Sequence, residues 1–183
     1  SKVDLAIVLE RHKKWLESNG KEGGAADLSN MDMPYSDFSH GDFREVNFSR
    51  SDLRHSNFGS SNLKKSDFHN AILGYVEFTN ADLSEADLSH SNLSYAGLSE
   101  TKLNHANLSN AFLFTTNLRG ADLTCADFTN AALFSANFTG ANFDKTQLSS
   151  AYLAQTVFSL ADLTNATGLD RCIHMGYSTI DFI

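Results

Sequence analysis

The 183-residue sequence predicts an all-β solenoid, and three observations lead there. Large apolar residues recur at every fifth position from Leu28 to Leu163 without one slip of register: 17 Leu, 10 Phe and Met33. The residue two places before each of them is nearly always Ala, Ser, Thr or Gly, with Met31, Val46 and Val76 the larger exceptions. The whole chain holds one proline, Pro34. A period of five fits neither a helix at 3.6 nor a strand at 2. It fits a chain that turns a corner every five residues and closes a four-sided coil after 20. The large residue and the small one point inward. Coils then stack at the ~4.8 Å spacing of neighbouring strands and bury a core that no single coil could bury.

Taken in order, residues 1–24 are expected to form an N-terminal helical cap and linker. Leu5, Val8, Leu9, His12, Trp15 and Leu16 have helical spacing, Gly20 is the expected stop, and Gly23-Gly24 a flexible turn into the first coil. Residues 25–166 form the β-helix, with 28 pentapeptides making about seven coils. Pro34 falls in the first coil, where a missing N–H is expected to spare the interior ladders. Positions 20 apart should stack. One interior column is Phe38, Phe58, Phe78, Leu98, Leu118, Phe138 and Phe158, and the column from Met33 to Leu153 is expected to face it. Residues 167–183 are a cap or a junction to a further domain. Gly168 ends the repeat, and Leu169, Ile173, Met175, Tyr177 and Ile180 are expected to fold over the last coil.

Pentapeptides such as Ala81-Asp82-Leu83-Ser84-Glu85 and Ala121-Asp122-Leu123-Thr124-Cys125 resemble the pentapeptide-repeat family across residues 26–166. The resemblance implies a right-handed quadrilateral β-helix. The ends, Trp15-Leu16, Gly20, Ala26-Asp27-Leu28-Ser29 and the string from His174 to Ile183, resemble a subgroup of bacterial members that continue into a TIR domain. That implies the repeat module of a defence or signalling protein, since bacterial TIR domains often hydrolyse NAD.

Acids outnumber Lys and Arg 22 to 14, for a net charge of -8, which argues against direct nucleic-acid binding. Residues 26–165 hold 16 of those acids and 8 bases, so the repeats carry the whole charge. Two walls are acidic. One carries Asp27, Asp67, Asp87 and Asp127; the other carries Asp42, Asp82, Asp122 and Asp162. Asp and Asn suit tight turns, because their side chains bond nearby backbone N–H groups. The family resemblance implies a second reading, a DNA mimic that binds DNA gyrase or another type II topoisomerase and protects it from quinolones. Arg44, Arg50, Arg54, Lys64 and Lys65 interrupt the charge in the first two coils, and the unbroken register leaves no projecting loop.

A third wall is aromatic. Ile72, Phe112, Phe114, Phe134 and Tyr152 face outward there, with Tyr35, Tyr75 and Tyr95 along its trailing corner. The core needs none of them, and an exposed patch of this kind marks an interface. Chemistry is otherwise sparse. His40, His55, His69, His90 and His105 fall on different walls, Cys125 and Cys172 have no neighbouring base, and no phosphate-binding glycine loop occurs. No cofactor, metal or enzymatic activity is expected. No apolar run of about 18 residues and no signal-peptide shape appear, so a cytoplasmic protein without a membrane span is expected. The reading is a non-enzymatic scaffold for protein–protein contact and oligomerisation, with the aromatic wall as its docking surface.

Overall fold

The computed structural model describes residues 5–178. Helix α1, Leu5–Glu17, is followed by square coils of 20 residues, and then by a closing segment. Parallel bridges join residues 20 apart, from Asp27 with Asn47 through Gln147 with Thr167. Numbered from residue 26, the coils span 26–45, 46–65, 66–85, 86–105, 106–125, 126–145 and 146–165.

Each pentapeptide has a shoulder residue, a bridge residue, a core residue and two turn residues. The core N–H donates to the bridge carbonyl of the next coil, as Leu28 to Asn47 at 2.7 Å. The bridge N–H donates to the shoulder carbonyl of the preceding coil, as Asn47 to Ala26 at 3.1 Å. The second turn residue donates onward to the next coil, as Asn30 to Ser49 at 2.9 Å, and the shoulder closes the corner, as Val46 to the Phe43 carbonyl at 3.2 Å. A corner every five residues leaves room for single-residue bridges rather than long strands. The second turn residue sits at positive φ, +57° at Asn30 and +60° at Glu45, the pattern of a type II turn.

This bonding corrects the expectation for Pro34. The first turn N–H is outside the ladder; where the bridge residue is Asp or Asn it bonds to that side chain, as Ser29 N–H to Asp27 Oδ1 at 3.0 Å. Pro34 occupies that first turn position, so it costs no ladder bond, and its fixed φ suits the site. Its place in the first coil is not what makes it tolerable.

All 28 core residues face inward. All are buried except Met33 and Leu163, which are half-buried near the two ends. The expected pairing of columns is wrong, however. Residues five apart lie on walls that share a corner, and opposite walls are ten apart. The Phe38 column therefore faces the column of Leu28, Phe48 and Phe68. Phe58 meets Phe48 and Phe68 edge-on at 5.5 and 5.8 Å, and stacks on Phe38 and Phe78 at 4.8 and 5.2 Å. Rings span the cross-section in the early coils, while leucines fill it in the middle.

Helix α1 lays Leu5, Val8 and Leu9 against the core. It ends where Gly20 N–H bonds the Trp15 carbonyl at 2.8 Å and Asn19 N–H the Leu16 carbonyl at 3.2 Å, with both residues at positive φ. Gly23 is no free hinge. At φ +77° its Cα lies so close to the Arg11 carbonyl that a Cβ would collide with it. His12 is buried and pins the helix to the coils. Its Nδ1 accepts from Ala26 N–H at 3.1 Å, and its Nε2 lies 2.8 Å from the Arg44 carbonyl.

At the other end, strand β1, Tyr152–Leu153, pairs in parallel with β2, Ile173–His174, after a 3-10 turn at Leu169–Arg171. Met175 N–H bonds the Leu153 carbonyl and Leu148 N–H the Thr167 carbonyl, both at 2.8 Å, so an eighth layer covers two walls. Ile180 lies outside the described residues. Among the described residues, no helix is long and apolar enough to cross a membrane.

Candidate interaction walls

The bridge residues decide the chemistry of each wall. On the two acidic walls the bridge carboxylate accepts the first turn N–H two residues on, as Ser89 to Asp87 at 2.9 Å and Thr129 to Asp127 at 2.8 Å. Asparagine does the same work, as Asn47 for Ser49 and Asn107 for Ser109. Asparagines also bridge coils: Asn107 Nδ2 donates to Asp87 at 3.2 Å and Asn142 Nδ2 to Asp122 at 3.1 Å. Burial pushes Asp122 up, but hydrogen bonds from Thr124, Asn104 and Asn142 outweigh it and hold the carboxyl below its usual range. The Arg44 guanidinium grips Asp42 through two bonds of 2.7 and 2.8 Å and lowers it likewise. Lys102 sits 3.8 Å from Asp82, and His69 lies 2.8 Å from Asp67. Asp162 is lowered by the Thr164 side-chain and backbone bonds. Asp27 serves its own turn at Ser29. The acids on these walls are turn-formers, several of them paired with a base.

The wall from Met33 to Leu153 differs. Its bridge column runs Asp32, Asp52, Ile72, Asn92, Phe112, Ala132, Tyr152. Its first turn column carries Phe114 and Phe134, whose rings meet at 4.9 Å. Phe112 is 50% exposed, Ile72 43% and Phe114 39%, while Phe134 and Tyr152 are half-buried. Along the trailing corner, Tyr35, His55, Tyr75 and Tyr95 form one ladder of parallel rings, each step 4.8 Å. The structure thus adds His55 to the residues the sequence points to. Its position, 20 residues from Tyr35 and Tyr75, is the signal that identifies it. The tail from Ile173 to Tyr177 extends this wall at its far end and leaves Phe112 and Phe114 open to solvent.

Among the described residues, no group of three or more His, Cys, Asp and Glu is placed to hold a metal ion. Burial pushes the Cys172 thiol up, away from the thiolate a nucleophile needs.

The family model for pentapeptide repeats matches in eight copies, across residues 25–59, 61–96, 71–110, 81–120, 113–146 and 141–167. None of the curated proteins matches the chain. Among solved structures, a trypsin-treated form of QnrB1, a plasmid-mediated fluoroquinolone resistance protein, aligns with a TM-score of 0.55 at 14% identity, covering 85% of this chain and 92% of that one. HetL, involved in heterocyst differentiation regulation in the cyanobacterium Nostoc sp. Strain PCC 7120, aligns at 21% identity and a TM-score of 0.36 over 88% and 92% of the two chains. A thylakoid-lumen protein of Arabidopsis thaliana is 34% identical with a TM-score of 0.32 over 57% of this chain and 69% of that one.

Proposed function

The chain belongs to the pentapeptide-repeat family, whose members form right-handed quadrilateral β-helices, and we propose that it works as a non-enzymatic scaffold that binds protein through the wall of Ile72, Tyr75, Tyr95, Phe112, Phe114, Phe134 and Tyr152. One observation carries this reading. From the third coil to the seventh, this wall exposes rings and aliphatic side chains at bridge and turn positions where Asp, Asn, Ser and Thr prevail elsewhere. Solvated turns gain nothing from such residues, whereas an interface core does.

The test uses Phe112→Asp with Phe134→Asp. Asp fits both places: Asp32 and Asp52 hold the same bridge column, and Asp144 stands at a first turn position. The double variant should keep the wild-type circular dichroism and melting temperature. It should lose both self-association in sedimentation and the proteins cross-linked to the wild type in its source cells. A folded double variant that keeps both overturns the reading. The resemblance of the chain ends to TIR-linked members extends the proposal to a defence or signalling assembly. A reading frame that closes directly after Ile183 removes that extension.

A further inference from the structure

The aromatic wall is complementary in shape to itself. Resting on the reading of this wall as an interaction surface, we propose that its occupant is a second copy of this chain, packed face to face and end for end. The axis of twofold symmetry would run along the strand direction between the fourth and fifth coils.

Knobs on one copy meet gaps on the other. Two sheets that pack face to face lie ~10 Å apart, so large side chains on one must meet small ones on the other. In the proposed register the third coil faces the sixth and the fourth faces the fifth. The flip preserves lateral order, so each column faces its own column. In the bridge column, Ile72 then lies over Ala132 and Phe112 over Asn92. In the first turn column, Phe134 lies over Gly74 and Phe114 over Ser94. At the corner, Tyr75 meets Ser135 and Tyr95 meets Thr115. Every large residue in these four coils meets a small or short polar one, in all three columns at once. A parallel pairing about an axis along the solenoid reverses lateral order, lays the bridge column over the first turn column and sets Phe112 on Phe114 in the same coil.

Charge and area agree. From the third coil to the sixth, the outward positions of this wall carry no Asp, Glu, Lys or Arg, and the second coil, which faces the seventh, holds Asp52 and Arg54 paired with each other at 2.6 Å, so nothing charged is buried unpaired. The four walls and the two ends share 9020 Å² of surface. One wall offers on the order of 1,500 Å², and covering half of it approaches the ~800 Å² per partner of a standard interface. An isologous contact of this kind closes on itself as a dimer and does not propagate.

The experiment begins with the full chain in sedimentation equilibrium. A mass twice 20.1 kDa at tens of micromolar is expected, and a monomer throughout overturns the second-copy proposal. That result leaves the wall free for another protein, whereas retention of all partners by the Phe112→Asp, Phe134→Asp variant overturns the wall itself. Orientation is read with Cys125→Ser and Cys172→Ser as background. Ile72→Cys and Ala132→Cys proteins, mixed and treated with a short bis-maleimide that spans the ~10 Å between facing sheets, should give a cross-linked dimer that neither gives alone. Cross-linking of Ile72→Cys with itself, or none in the mixture, overturns the antiparallel register. Ala132→Arg should fill the gap and return the protein to monomer without changing its melting temperature; an undiminished dimer overturns the register too.

Discussion

At the second turn position, the pentapeptide corners from Asn30 to Leu160 take a left-handed backbone, yet glycine holds it only at Gly120 and Gly140. The left-handed region costs an ordinary L-residue roughly 1–2 kcal/mol, and a β-branched one is the worst placed. Thr115, at φ +54°, is such a residue. Thr115→Gly is expected to stabilise the protein by about 0.5–1 kcal/mol after the entropy of glycine is counted, seen as a higher urea midpoint with unchanged slope. Gly120→Ala should shift it down, because a Cβ there meets both positive φ and the Glu100 carboxylate. The shoulder hydroxyls behave otherwise. Ser91 Oγ donates to the Leu88 carbonyl at 2.6 Å, but that carbonyl also accepts the Ser91 N–H. Ser91→Ala leaves no orphan, and its cost should stay under ~1 kcal/mol in the same urea titration. Leu108→Ala, deep in the core, should cost about 2–5 kcal/mol.

Among the elements, helix α1 depends on the protonation of one side chain. Ala26 N–H can only donate and the Arg44 carbonyl can only accept, so His12 must be neutral with its proton on Nε2. Burial lowers its pKa; the Arg44 carbonyl, Asp42 and Glu45 oppose this, and the Arg44 charge adds to it. Trp15 stacks on the ring at 5.6 Å. An undocked helix takes up its proton near the ordinary ~6.5, whereas the docked one resists to lower pH, so docking is at full strength above about 6.5 and weakens below it. Trp15, the one tryptophan, reports this: its fluorescence should change between pH 7 and 5 while the circular dichroism of the coils persists. His12→Leu should abolish the pH dependence, and a wild-type signal flat over that range overturns the pin. The spacing of Leu5, Val8 and Leu9 makes the helix legible in sequence. The pin is not, because its partners Ala26 and Arg44 come from coils whose placement only the fold reveals. The same holds for His55, which reads as an isolated histidine until coil stacking sets it between Tyr35 and Tyr75. The five-residue period shows which residues point inward, but it does not by itself show which walls are opposite, and the Phe48–Phe58 contact needed the closed square.

For the whole molecule, bridges between residues 20 apart make a rod in which each coil rests on its neighbours. Two of its walls are acidic, and the question at this scale is whether their charge or only their turn geometry matters. Asn47 and Asn107 already fill bridge positions on the wall of Asp87 and Asp127, accepting the same turn bond. Charge can therefore be removed without removing the turn. Asp87→Asn with Asp127→Asn should keep the fold and change the melting temperature by less than a few degrees, since the amide oxygen replaces the carboxylate oxygen. Asp42 and Asp82 already have Arg44 and Lys102 beside them. A wall that imitated a duplex would hold its charges free for a partner's basic groove, as phosphates are held. The expected outcome is accordingly that gyrase supercoiling, with and without a quinolone, responds neither to micromolar wild-type protein nor to the Asn variant. Protection by the wild type that the Asn variant loses would show instead that the acidic walls are a working surface, and that the aromatic wall shares the rod with a second partner.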